Sequence, residues 1–93
     1  MGLTFLRLEV ANASNPTVTE TVEFLIDSGA IFSIVPRLIL LRLGINPVSE
    51  QTFRLASGQS IRRQLGVALF KYQDRAGGAT VVFGEEDDST LLG

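Results

Sequence analysis

The chain has 93 residues, 45% of them hydrophobic and 19% charged, with a net charge of −2. That is globular material of single-domain size (residues 1–93) with a modest core that a second subunit would help to bury. A negative chain without a basic stripe is a poor match for a phosphate backbone, so no nucleic-acid partner is expected, and no apolar run reaches the roughly 18 residues that span a bilayer.

With no histidine and no cysteine, disulfides, thiol chemistry, Ser-His-Asp and Cys-His catalysis and the usual zinc sites are excluded. No glycine-rich phosphate loop is present. A Ser-Lys pair would have to use Lys71, the only lysine, and nothing marks a partner serine. Carboxylates are left as the leading reactive groups. The start, MGLTFLRLEV, lacks the basic head, long apolar middle and small-residue cleavage site of a signal peptide, so a cytoplasmic location is expected.

In chain order, Leu3 to Ala11 alternates, with Leu6, Leu8 and Val10 on one face, and reads as a strand. Asn12 to Pro16 is turn chemistry. Val18 to Ile26 alternates again, with Val18, Val22, Phe24 and Ile26 facing one way, so the two segments form a hairpin. Asp27-Ser28-Gly29 breaks the pattern, and Ile31 to Val35 resumes an apolar run. Pro36 suits the first turn of a short helix over Arg37 to Leu43, with Gly44 as its stop.

Gln51 to Ala56 and Gln59 to Tyr72 read as strands joined at Ser57-Gly58. Arg62-Arg63, within the second of them, reads as the solvated face of a strand. Asp74 to Ala79 reads as a turn leading to a strand at Thr80 to Phe83. Gly84 to Ser89 reads as a solvated acidic loop, because Ca²⁺ loops space their ligands and consecutive acids do not; no metal or other cofactor is expected. The predicted class is mostly β with one short helix.

One carboxylate stands out. Asp27 lies inside VEFLIDSGAIFSIVP, where the flanks ask to be buried, and a lone carboxylate in apolar surroundings is costly to ionise. Asp-Ser-Gly is also ordinary turn chemistry, with Asp capping local N–H groups and Gly taking a positive φ. A polar turn enclosed by apolar segments, however, needs a special partner or a special task.

Asp27-Ser28-Gly29-Ala30 resembles the Asp-Thr/Ser-Gly-Ala signature of the retropepsin-like aspartic proteases. Phe24-Leu25-Ile26 matches the hydrophobic strand that leads into the aspartate, and Ser33-Ile34-Val35 the hydroxyl and apolar pair that follow. Leu91-Leu92-Gly93 is similar to the second signature, two apolar residues and a glycine close to the active-site turn. The order of elements between them also fits, so the resemblance covers most of the chain. It is nearest to the single-domain prokaryotic type.

That resemblance implies a closed β-barrel monomer with one catalytic aspartate, completed as a homodimer that hydrolyses extended peptide or protein substrates through water activated by paired Asp27 carboxylates. Ser28 would bond the partner loop or close a local turn. Gly29 would let backbone approach the aspartate, and Ala30 would leave room for a peptide. Ser33 would support the loop or be a satisfied core serine. The hairpin at Ala56-Ser57-Gly58 would be the substrate-covering flap. Val35, Ile61, Leu65 and Val67 would shape pockets or fill the core. Family members continue past the second signature with a helix and a last strand, whereas this sequence stops at Gly93; the expectation is a chain that lacks those elements, folds, and cleaves poorly. The alternative is a non-catalytic peptide-binding or dimerisation module of the same fold.

Overall fold

The computed structural model describes residues 2–93. Its elements are β1 (Phe5–Asn12), β2 (Asn15–Ile26), β3 (Ser33–Pro36), α1 (Arg37–Arg42), β4 (Ser49–Arg54), β5 (Ser60–Tyr72), β6 (Arg75–Gly84) and β7 (Leu91–Leu92). The protein is therefore mostly β with one short helix, as its alternating segments predict. Among the described residues no helix is long and apolar enough to cross a membrane.

The strands run in the order β1-β2-β7-β3-β6-β5-β4, and β1 also pairs with β5. β1 and β2 form an antiparallel hairpin in which Leu8 faces Val22 and Leu6 faces Phe24. β5 pairs with β6 from Leu65 to Tyr72, and its other edge is shared by β4, at Ser60 to Leu65, and β1, at Leu69 to Lys71. The two residues of β7 enter between β2 and β3, parallel to the first and antiparallel to the second.

Alternation decides the core. Leu8 and Val10 from β1, Val22 and Phe24 from β2, Val35 from β3, and Val81 and Phe83 from β6 meet Leu40, Leu43 and Ile45 from the helix and the segment after it. Phe24 packs on Phe70 with ring centroids 5.8 Å apart. Val18 and Ile26, predicted on the same face as Val22 and Phe24, lie at the two ends of β2 and are exposed.

α1 ends as its sequence predicts: Gly44 takes a φ of 78°, and its N–H bonds Leu41 O at 3.0 Å. The Asn12 side-chain amide donates to the carbonyls of Leu43 and Gly44, which fastens this corner to the first hairpin.

Two predicted features are corrected. Arg75 to Ala79 is strand, not turn; the turn is confined to Gln73 and Asp74, and Gln73 carries a φ of 53°. Pairing with β5, from Tyr72↔Arg75 to Ala68↔Ala79, extends these residues despite their turn-like Gly-Gly. Arg63 and the acidic loop are not simply solvated either. Arg63 and Asp88 pair with side-chain exposures of 18% and 17%, whereas Arg62 points to the other face of the hairpin and pairs with Glu50.

Candidate functional site

Asp27 follows the last residue of β2, and backbone bonds place it. Its N–H donates to Leu92 O at 3.0 Å, and the Leu25 N–H donates to Thr90 O at 2.9 Å. On its other side the strand end is held by the Ile26 N–H bond to Thr4 O at 2.9 Å. The chain then turns. Asp27 Oδ1 accepts the Gly29 N–H at 3.0 Å, and Asp27 O accepts the Ala30 N–H at 3.1 Å. An aspartate that bonds the backbone two residues on is the local geometry Asp-Ser-Gly favours.

The structure brings together the two segments that carry the resemblance. Leu25 pairs with Leu91 and Ile26 with Leu92, so Leu91-Leu92-Gly93 runs beside the strand that delivers the aspartate. Ser33, 7% exposed, accepts the Gly93 N–H on its Oγ at 3.1 Å. This serine is therefore a satisfied core residue, and its bond reaches Gly93 rather than the Asp27 turn. Gly93 is glycine because space demands it: a Cβ there would fall 2.7 Å from Ala30 O and 2.8 Å from Phe32 O.

Two expectations about the turn are corrected. Asp27, Ser28 and Gly29 are exposed, not enclosed. The apolar flanks do not cover them, because β2 leaves the core at its end: Ile26 is exposed and Ile31 is 89% exposed. Gly29 also has no positive φ, since among the described glycines only Gly44 and Gly58 do. The room it leaves beside Asp27 Oδ1, 3.4 Å from an added Cβ, is its structural feature here.

Across from the turn stands the β4–β5 hairpin. Its tip closes with Leu55 N–H to Gln59 O at 2.8 Å and Gly58 N–H to Leu55 O at 2.9 Å. Gly58 has a φ of 89°, and Ala56, Ser57 and Gly58 are all exposed. Between turn and hairpin lies a cleft of about 430 Å³. Gly29, Ala30, Ile31 and Phe32 line it from the turn, Phe53, Leu55 and Ile61 from the hairpin, and Ile34, Val82 and Leu91 from the floor. Phe32 and Phe53 meet edge to face across it, with centroids 6.0 Å apart and an interplanar angle of 87°.

Among the predicted site residues, then, Gly29 and Ala30 line the cleft, Asp27 and Ser28 stand beside it on the same turn, and Ala56, Ser57 and Gly58 form the hairpin tip without lining it. Of the predicted pocket residues, only Ile61 lines the cleft; Val35 and Leu65 are buried, and Val67 is exposed elsewhere on β5. Sequence reasoning missed Phe32 and Phe53, and it missed the polar pair on the wall. Arg63 Nε and Nη2 donate to Asp88 Oδ2 and Oδ1 at 2.7 and 3.0 Å, and both residues line the cleft. The hydrogen bond from Arg63 is the main cause holding the Asp88 carboxyl below its ordinary range, and the Glu85 N–H adds to it. The alternation of β4 and β5 could have signalled Arg63, since it shares a face with Ile61.

Comparison with family models, with curated proteins and with solved structures found no match to this chain.

Proposed function

We propose that this chain is one half of a dimeric aspartic endopeptidase of retropepsin-like, barrel-shaped fold, in which two copies of Asp27 face each other. The observation that carries this reading is the pairing of the Asp27 strand with Leu91-Leu92-Gly93, sealed by a Ser33–Gly93 bond between residues 60 apart in sequence. An ordinary surface turn has no need of a dedicated third segment beneath it. The return of the pairings to β1 through β5 supports the barrel-like shape. Exposed Phe5, Ile26 and Ile31, on and beside the turn, supply apolar surface for a second copy.

Two carboxylates in contact do not both ionise readily and hold one proton between them. The ionised Asp27 takes a proton from a water as that water's oxygen attacks the scissile carbonyl carbon. The protonated Asp27 of the other copy donates to the carbonyl oxygen, which gives a tetrahedral diol. The protonated carboxyl then gives its proton to the amide nitrogen while the other takes one from a diol hydroxyl, so that the C–N bond breaks, the carboxyl product forms and the pair again holds one proton. The hairpin over the cleft excludes water and holds an extended peptide by its backbone.

A second reading is a peptide-binding or dimerisation module of the same fold. It is favoured by one observation: Asp27 Oδ1 is already bonded to Gly29 N–H, as in a plain turn. Asp27→Asn separates the two. Peptide cleavage is expected to fall by roughly 10²–10⁴, with dimerisation and peptide binding retained. Cleavage that survives the substitution sinks the peptidase reading. A protein that stays monomeric in sedimentation, even with peptide present, sinks the facing-aspartate geometry.

A further inference from the structure

β7 is only two residues long, yet it supports the Asp27 turn. It receives the Asp27 N–H on Leu92 O, and the residue before it receives the Leu25 N–H on Thr90 O. So short a strand is weakly held by its own ladder. What fixes its approach lies just upstream. Of the four consecutive acids Glu85 to Asp88, only Asp88 turns inward. It accepts two hydrogen bonds from Arg63, at 2.7 and 3.0 Å, and a third from the Glu85 N–H at 2.8 Å. Arg63 is on β5, the strand that returns from the hairpin tip, and its Nη1 also donates to Arg62 O at 2.9 Å. A planar guanidinium gripping a carboxylate with two parallel bonds fixes direction as well as distance.

We infer that Arg63 and Asp88 are positioning residues: their pair anchors the loop ahead of β7 to the hairpin, and through β7 sets the Asp27 turn. The pair makes the cleft wall and the aspartate's support one mechanical unit, so that movement of the hairpin base is felt at Asp27. Exposed Glu85, Glu86 and Asp87 are the other acids of this loop and are spared that duty. The consequence for turnover rests on the peptidase reading; the positioning itself does not.

Amide hydrogen exchange followed by NMR at neutral pH tests the positioning directly. Asp88→Asn and Arg63→Gln are each expected to speed exchange at the Leu25 and Asp27 amides by about tenfold, with the β5–β6 hairpin amides unchanged. Asp88→Glu and Arg63→Lys, which keep the charges, are expected to recover part of the protection. Unchanged exchange at Leu25 and Asp27 overturns the inference, and so does an equal rise across the whole sheet, which would mean general destabilisation. Peptide cleavage is a separate arm. With an active wild type, the charge-removing variants are expected to lower kcat with KM little changed, and a loss confined to KM counts against positioning. A wild type that never cleaves overturns the peptidase reading and leaves the exchange result to decide the role of the pair.

Discussion

The floor of the cleft and the hairpin above it are built on different principles. On the floor, β2, β7 and β3 lock the Asp27 turn through backbone bonds between distant segments, and Gly93 is pressed against the carbonyls of Ala30 and Phe32. Among the described residues the hairpin tip bonds only to itself, through Leu55, Gly58 and Gln59, and an added Cβ at Gly58 meets nothing within 4 Å. Glycine is required in both places for opposite reasons: on the floor there is no room for a side chain, and at the tip there is room but the backbone turns left-handed. A floor tied to distant segments beneath a hairpin tied to itself is the arrangement that the proposed function would use, with fixed groups below and a covering loop above.

Substitutions that separate space from backbone conformation probe this contrast. Gly93→Ala has the largest expected effect, a loss of roughly 1–3 kcal/mol, because the atoms it strikes are backbone. Its lowered urea midpoint is expected together with faster exchange at the Asp27 amide. Gly58→Ala is expected to cost about 1 kcal/mol, through its positive φ alone. Its effect on the floor is expected to be nil: the Asp27 amide keeps its protection. An undisturbed Asp27 amide in the first variant, or a disturbed one in the second, would erase the distinction between floor and hairpin.

The smallest effect is that of acid on the tie between them. Asp88 is held below its ordinary range by Arg63, so its contribution is complete at neutral pH. It is lost only as pH falls below about 4 and through the depressed folded value. The loss is expected to be a few tenths to about 1 kcal/mol, as for a pair that keeps some contact with water. Urea midpoints measured against pH check it: the wild type is expected to show a steeper acid-side decline than Asp88→Asn, in which Glu20, also lowered by its bond from Arg42, still contributes. The groups in play are Asp88, Arg63 and, at longer range, Glu85. A variant that declines as steeply as the wild type removes Asp88 from that account.

Much of this architecture is visible in local pattern. Alternation identifies the β1–β2 hairpin and its buried Leu8, Val10, Val22 and Phe24, and Pro36 and Gly44 bracket the helix. What escapes local reading depends on partners far along the chain. Gly77 and Gly78 look like a turn but are straightened opposite Phe70 and Leu69. Arg63 and Asp88 look like two solvated charges because nothing in either neighbourhood announces the other, 25 residues away. The apolar stretch around Asp27 was legible as apolar, but hydrophobicity carries no address. Ile26 and Ile31 face outward rather than into their own core.

The insertion of β7 between β2 and β3 also imposes an order in time. Synthesis delivers β2 and β3 before residues 91 and 92, and the two strands are joined in the sheet only through β7. Until Leu92 arrives, the amide of Asp27 lacks the carbonyl it meets in the finished fold. The aspartate is therefore made well before the residue whose carbonyl its amide meets.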